Sequence, residues 1–185
     1  MLAEIAFFDS SLHTGSMQNL NTQLFSSRLR LVFTLLLLST LVLAQDIHFI
    51  KADQITRWKN ADTDTIYVIN FWATWCGPCV AELPAFEKLH ERYAGQKVKV
   101  ILVSTDFSKQ VDTKVRAFVQ EKNLRSQVAF MDEPNPNNWI NLVNPDWSGL
   151  IPATLIIARR KKFERFFETQ LTYEELETAV QAALK

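Results

Sequence analysis

The chain has 185 residues, of which 48% are hydrophobic and 22% charged, with only 4 glycines and 6 prolines. This composition excludes disordered, collagen-like and low-complexity proteins. Twenty lysines and arginines balance twenty aspartates and glutamates. The chain therefore has no net charge that would attract nucleic acid or an anionic membrane. We therefore predict a globular protein without a nucleic-acid partner, which recognises other molecules by local shape and chemistry.

The N-terminal segment has the pattern of an export signal. Arg28 and Arg30 precede an uncharged apolar run over residues 31–44. This run is short for a membrane span, which needs about 20 residues, but it matches the apolar region of a secretory signal with a positive flank. We predict that residues 45–185 are exported, into the periplasm if the organism is Gram-negative.

Val42 and Ala44 provide the small-residue cleavage site, so removal of residues 1–44 is expected. The alternative is an uncleaved N-terminal anchor, which would be the protein's sole membrane contact. Residues 1–16 make the segment before the arginines long, and we interpret them as an upstream extension of a true start at Met17.

The remainder of the chain alternates predicted strands and helices. Strands are expected at Ile47–Ile50, Thr65–Trp72, Val98–Ser104, Gln127–Met131, Ala153–Ala158 and Lys162–Phe167. Helices are expected at Ala52–Asn60, Pro78–Tyr93, Val111–Val119 and Trp139–Val143, with a last one beginning after Thr172. This alternation predicts a single α/β domain over residues 45–185, with a central sheet flanked by helices.

Local signals refine these elements. Thr172 and Glu175 have the spacing of a capping box. Ser108 is expected to cap the helix that contains Val111. Pro84 predicts a kink inside its helix, because proline lacks an N–H. The basic turn Arg159–Lys161 predicts a solvated hairpin tip.

The chain's only two cysteines lie in Trp75-Cys76-Gly77-Pro78-Cys79, at the junction of a buried strand and a helix. The helix N-terminus should lower the pKa of Cys76, which makes it the expected nucleophile. Cys79, one helical turn further on, is the expected resolving thiol. Gly77 should permit tight passage into the helix, and Pro78 suits the first turn.

Other uses of two cysteines fit this sequence less well. Zinc requires about four ligands, and neither His48 nor His90 has a spacing that belongs with the pair. Covalent haem attachment requires a histidine after the second cysteine, where Val80 stands. A purely structural disulfide is the remaining alternative, and it would close too small a loop to stabilise the fold much. We predict no metal and no cofactor.

The segment Val68–Cys79 resembles the active-site segment of the thioredoxin superfamily, and in particular its exported TlpA-like and ResA-like thiol–disulfide oxidoreductases. Pro84 matches the kink proline of that family, and Ile151-Pro152 matches its cis-proline. The resemblance implies a thioredoxin-like fold, in which the strand and helix at about 127–143 form the insertion found in exported relatives.

The resemblance also implies roles for individual residues. Glu82 matches a glutamate of ResA-like proteins and is expected to exchange a proton with Cys79. Asn70 stands where thioredoxin has a buried aspartate, so that aspartate's proton-transfer role must move elsewhere or be lost. Ile151 and Pro152 are the expected substrate-binding positions, where the backbone would pair with an extended substrate segment.

Aromatic residues near the motif have two expected roles. Phe71, Trp72 and Trp75 are expected to form the rim and underside of the site, with Trp75 among its supporting residues. Trp139 and Trp147 are expected to belong to the core.

The function that we predict is that of an exported thiol–disulfide oxidoreductase, acting as a reductase on protein substrates with electrons from a membrane partner. By resemblance its substrates include apocytochrome c thiols or misoxidised exported proteins. The alternatives are a disulfide donor, a thiol peroxidase and a non-catalytic binding module. Ala73 replaces the threonine of the peroxidase pattern, and a module that only binds has no need of two thiols at a helix start.

Overall fold

The structure, a computed structural model, describes residues 46–185. The predicted signal or anchor segment, its cleavage site and the start at Met17 lie outside the described residues. Within residues 46–185, none of the helices is both long and apolar enough to span a bilayer.

One mixed sheet of six strands organises the described domain, in the order β1-β4-β3-β2-β5-β6. The first four of these strands in sheet order are parallel, and β5 runs antiparallel to its neighbours β2 and β6. The strands are β1 His48–Ile50, β2 Ile66–Trp72, β3 Val98–Ser104, β4 Gln127–Met131, β5 Ala153–Ala158 and β6 Phe163–Phe167.

Helices cover both faces of this sheet, as predicted. They are α1 Ala52–Asn60, α2 Gly77–Arg92, α3 Arg116–Glu121, α4 Ile140–Val143 and α5 Tyr173–Leu184. On one face Val68 and Trp72 of β2 share a core cluster with residues of α2 and α5. On the other face Ile69 and Phe71 belong to a second cluster with residues of α1 and α4. The near-continuous apolar sequence of β2 follows from this burial on both sides.

Most predicted boundaries are confirmed within two residues. The capping box of Thr172 and Glu175 is present at the start of α5, and Pro84 lies inside α2. The predicted hairpin also forms, but its tip is a single 3-10 turn, Arg159–Lys161. Lys162 follows with a left-handed backbone, φ 53°, so β6 begins one residue later than predicted. Arg160 in this exposed tip pairs with aspartates of the loop before β2.

The segment before α3 differs from the prediction. Residues Ser108–Gln110 form a 3-10 turn and Val111–Val115 a wider π-helical turn, so the α-helix begins only at Arg116. Ser108 lies inside the 3-10 turn and makes no side-chain cap, so its predicted capping role is wrong. The wider turn keeps both Val111 and Val115 buried, and burial of these valines outweighs the local capping preference.

Candidate active site

The cysteine pair lies where β2 meets α2. Cys76 is the N-cap of α2, its Sγ accepts a hydrogen bond from the Cys79 backbone N–H at 3.3 Å, and the two cysteines form a disulfide. Cys76 is 6% exposed, whereas Cys79 is fully buried. An incoming thiol or disulfide can therefore reach only Cys76, and the Cys79 N–H and the positive end of the helix dipole are placed to stabilise its thiolate once the pair is reduced.

The loop before β5 brings a distant segment to Cys76. The peptide bond between Ile151 and Pro152 is cis, and the Cys76 Sγ lies 3.8 Å from the Ile151 carbonyl oxygen. Pro152 is buried and Ile151 is half-buried. The structure thus brings together three of the residues singled out in the sequence, although 75 positions separate Cys76 from Ile151.

Glu82 lies in the interior on α2, three residues after Cys79, and is 1% exposed. Its Oε1 accepts from the Asn70 Nδ2 at 2.7 Å, and its Oε2 accepts from the Leu171 backbone N–H at 2.8 Å. Burial raises the pKa of Glu82 to about 7, against these two hydrogen bonds, which lower it. A group that titrates near neutral pH is suited to give and take a proton.

Asn70 occupies the centre of β2 and is fully buried. Besides Glu82, its Nδ2 lies 3.1 Å from the Thr154 Oγ1 on the neighbouring strand β5. Asn70 therefore connects the central strand to the buried carboxyl of α2. The relocation of proton transfer from this position to another group stays a prediction.

The residues flanking the cysteines occupy different environments. Trp75 is 61% exposed and forms part of the rim, whereas Phe71 and Trp72 are fully buried core residues. Pro78 stands in the first turn of α2, as predicted. Gly77 has no positive φ, and a Cβ added there would meet no atom within 4 Å. Neither the backbone conformation nor a contact among the described residues requires glycine here, and the role of Gly77 in tight passage stays a prediction.

Asp106 is a site residue that the sequence analysis missed. It is only 5% exposed and accepts hydrogen bonds from the Thr74 backbone N–H at 3.0 Å, the Thr74 hydroxyl at 2.6 Å and the Ser104 hydroxyl at 2.8 Å. These bonds fix the turn between β2 and Cys76. A signal did exist, because Asp106 follows β3, and the carboxyl ends of adjacent parallel strands meet at one edge of a sheet.

A cleft of about 770 Å³ opens beside the disulfide, and Trp75, Phe107 and Ile151 are among the residues that line it. Phe107 is 68% exposed, and Leu150, next to the cis-proline loop, is 70% exposed. We call this space the docking cleft. The predicted core tryptophans are buried: Trp139 stacks on Phe71 beneath the cleft, with ring centroids 5.6 Å apart, and Trp147 is 4% exposed.

Residues 46–185 contain no group of three or more His, Cys, Asp or Glu side chains arranged to hold an ion.

A thioredoxin-like sheet with a cysteine pair at a helix start, facing a cis-proline, defines the class of thioredoxin-like oxidoreductases. Comparison with known proteins gives the family: the chain belongs to the AhpC/TSA family, whose model matches residues 44–165.

Curated relatives agree with this class. The chain is 31% identical over 110 residues to the thioredoxin-like protein YneN of Bacillus subtilis, a match covering 60% of each chain. It is 37% identical over 90 residues to a thioredoxin of Malassezia sympodialis, covering 49% of this chain and 79% of that one. It is 30% identical over 110 residues to the thiol-disulfide oxidoreductase ResA of Oceanobacillus iheyensis, covering 60% of this chain and 53% of ResA. The matches thus span little more than half the length of the two bacterial relatives.

Solved structures share the fold. A thioredoxin-related protein from Neisseria meningitidis serogroup B aligns with a TM-score of 0.57 at 22% identity, covering 66% of this chain and 87% of that one. A putative thiol:disulfide interchange protein DsbE from Chlorobium tepidum aligns with a TM-score of 0.54 at 24% identity, covering 66% and 82% of the two chains.

Proposed function

We propose that this protein is an exported thiol–disulfide oxidoreductase that reduces disulfides in protein substrates through Cys76 and Cys79. The observation that carries this proposal is the disulfide at the start of α2, in which only Cys76 reaches the surface, beside Ile151. The neighbours of Cys76, Trp75 along the chain and Ile151 across the site, both line the docking cleft, which supports a reactive rather than a purely structural disulfide.

The first step is nucleophilic attack. In the reduced protein the Cys76 thiolate attacks one sulfur of a substrate disulfide, forming a mixed disulfide and releasing the other substrate sulfur as a thiolate, which takes a proton from water. The helix N-terminus stabilises the attacking thiolate. Trp75 and Ile151 flank the reacting sulfur.

The second step resolves the mixed disulfide from inside the protein. Cys79 transfers its proton to the carboxylate of Glu82, and the resulting thiolate attacks the Cys76 sulfur. The second substrate thiolate leaves, and the internal disulfide re-forms. Two electrons pass from the cysteine pair to the substrate. The pKa of Glu82, raised by burial to about 7, suits it to accept this proton at neutral pH.

Substrate binding involves the docking cleft. The exposed side chains of Trp75 and Phe107 line the cleft, and Leu150 is exposed next to the cis-proline loop, so all three offer apolar contacts. The Ile151 backbone offers hydrogen bonds to an extended segment. A protein chain in extended conformation is therefore the proposed substrate form, with its disulfide placed over Cys76.

Export and the direction of exchange complete the proposal. The arginine-flanked apolar run before residue 45 supports export. The Gly-Pro spacer, shared with thioredoxin, supports reduction. A reductase needs an electron donor, and we propose a membrane protein that faces the same compartment. A disulfide donor with the same site is the alternative.

The reduction potential of the cysteine pair tests the direction of exchange. The full-length protein is equilibrated against dithiothreitol and glutathione buffers, with Cys76→Ser as the control that cannot form the internal disulfide. A potential near that of thioredoxin, about −270 mV, is expected; a value near that of DsbA, about −120 mV, would instead identify a disulfide donor. Failure of the reduced protein to cleave any protein disulfide would contradict the proposed reductase activity.

A further inference from the structure

The side-chain amide of Asn70 is satisfied on one side only. Its Nδ2 lies near three acceptors, at 2.7 Å from the Glu82 Oε1, 3.1 Å from the Thr154 Oγ1 and 3.5 Å from the Ala153 carbonyl oxygen. Its Oδ1 is buried and has no hydrogen-bond partner within the described part of the chain. Leaving such an acceptor unpaired costs on the order of 1–3 kcal/mol. Because only its Nδ2 is hydrogen-bonded, the Asn70 amide in this orientation suits a single charge state of Glu82.

That charge state is the carboxylate. Both oxygens of Glu82 accept from N–H groups, one from Asn70 and one from the Leu171 backbone, so neither partner can accept a proton carried by Glu82 in this arrangement. The Leu171 N–H can only donate, so it cannot accept a hydrogen bond from a protonated Glu82. Asn70 does have an acceptor, because its amide carries an oxygen opposite the nitrogen.

We propose that Asn70 is a positioning residue for Glu82, whose side-chain amide rotates by half a turn when Glu82 binds a proton. The Asn70 Oδ1 then accepts from the protonated Glu82 and from the Thr154 hydroxyl. The hydroxyl rotates from acceptor to donor as it does so. Both protonation states of the carboxyl thus have a partner, so Glu82 can take a proton from Cys79 and return it. This inference rests on the proton-transfer role of Glu82 in the proposed function.

Few other groups can drive such a rotation. Glu82 bonds to Asn70 on β2 and to the Leu171 N–H before α5, and it stands three residues after Cys79 on its own helix. Among the described residues no lysine, arginine, histidine or second carboxylate bonds to it. The cysteines do not titrate while they form the disulfide. In the oxidised protein, proton binding at Glu82 is therefore the event that turns the amide.

Nuclear magnetic resonance of the oxidised, full-length protein tests the inference directly. Above the midpoint of the Glu82 titration, the Asn70 Nδ2 protons should show a nuclear Overhauser effect to the side chain of Thr154. Below the midpoint this signal should be lost, at the pH at which the Glu82 carboxyl carbon titrates. A signal to Thr154 that persists through the titration would overturn the proposal.

Glu82→Gln provides a second, independent arm. The carbonyl of the introduced glutamine must accept from the Leu171 N–H, so its NH2 group must face Asn70 and hold the amide in the rotated orientation. The signal to Thr154 should then be absent at every pH, and its presence would refute the rotation. Slow exchange in this variant with an unrotated Asn70 overturns only the present inference. Unchanged exchange with a rotated Asn70 overturns instead the proton-transfer role of Glu82.

Discussion

The raised pKa of Glu82 predicts a specific dependence of stability on pH. The carboxyl has an ordinary pKa of 4.5 in the unfolded chain and a pKa of about 7 in the folded protein. Between these values the unfolded state releases its proton while the folded state keeps it, so stability falls as pH rises. The stabilising contribution is complete below about pH 4.5 and is lost as pH rises through 7.

The size of the effect follows from the same two values. A shift from 4.5 to about 7 corresponds to about 3 kcal/mol, since each pKa unit is worth about 1.4 kcal/mol. Glu82→Gln removes the ionisation and with it this pH dependence. Between about pH 4.5 and about pH 8, the unfolding free energy of the oxidised wild type should therefore fall by about 3 kcal/mol more than that of the oxidised variant.

Urea unfolding of both full-length proteins at several pH values measures this difference. Glu174→Gln is the matched control, because it makes the same substitution at an exposed glutamate in the first turn of α5. Equal pH slopes for the wild type and Glu82→Gln would refute the argument that burial of this carboxyl raises its pKa.

Three further outcomes follow from the site. Cys79→Ser should trap a mixed disulfide between Cys76 and the substrate, visible by mass spectrometry, because no internal thiol remains to resolve it. Asp106→Ala should lower the unfolding free energy by about 1–3 kcal/mol, since the Thr74 N–H loses its acceptor, and it should slow exchange at Cys76; denaturant unfolding and stopped-flow kinetics measure these effects. Phe107→Ser should raise KM for a protein substrate several-fold, with kcat unchanged, in steady-state assays.

Each of these has its own comparison. The trapped species should disappear in the double variant that also lacks Cys76, and its persistence would point to another nucleophile. Asp106→Asn, which keeps one acceptor oxygen for Thr74, should recover part of the stability; equal loss in both variants would contradict the hydrogen-bond explanation. Leu142→Ser removes an exposed leucine outside the docking cleft, and an equal rise in KM there would show that Phe107 has no special part in binding.

Features that depend on near neighbours along the chain were predictable from the sequence. The β-branched run of β2, the spacing of Cys76 and Cys79, and the capping box at Thr172 each lie within a few positions, where local periodicity and backbone propensity act directly. The family resemblance added Ile151-Pro152, because that pair has a recognisable place after the insertion. Strand bounds and the helix that carries the cysteines were predictable for these reasons.

Contacts between distant groups required the folded chain. Because β2 lies between β3 and β5, Asn70 can reach Thr154 on one neighbouring strand, while Asp106 at the end of the other reaches the turn before Cys76. The Leu171 N–H meets Glu82 across 89 positions, a contact that no local pattern records. The pKa of Glu82 depends on this enclosure, since desolvation arises only when separate elements close over the carboxyl. Local sequence thus determined where Cys76 and Cys79 lie. The packing of remote segments determined the environment of Glu82, the group that we propose as their proton acceptor.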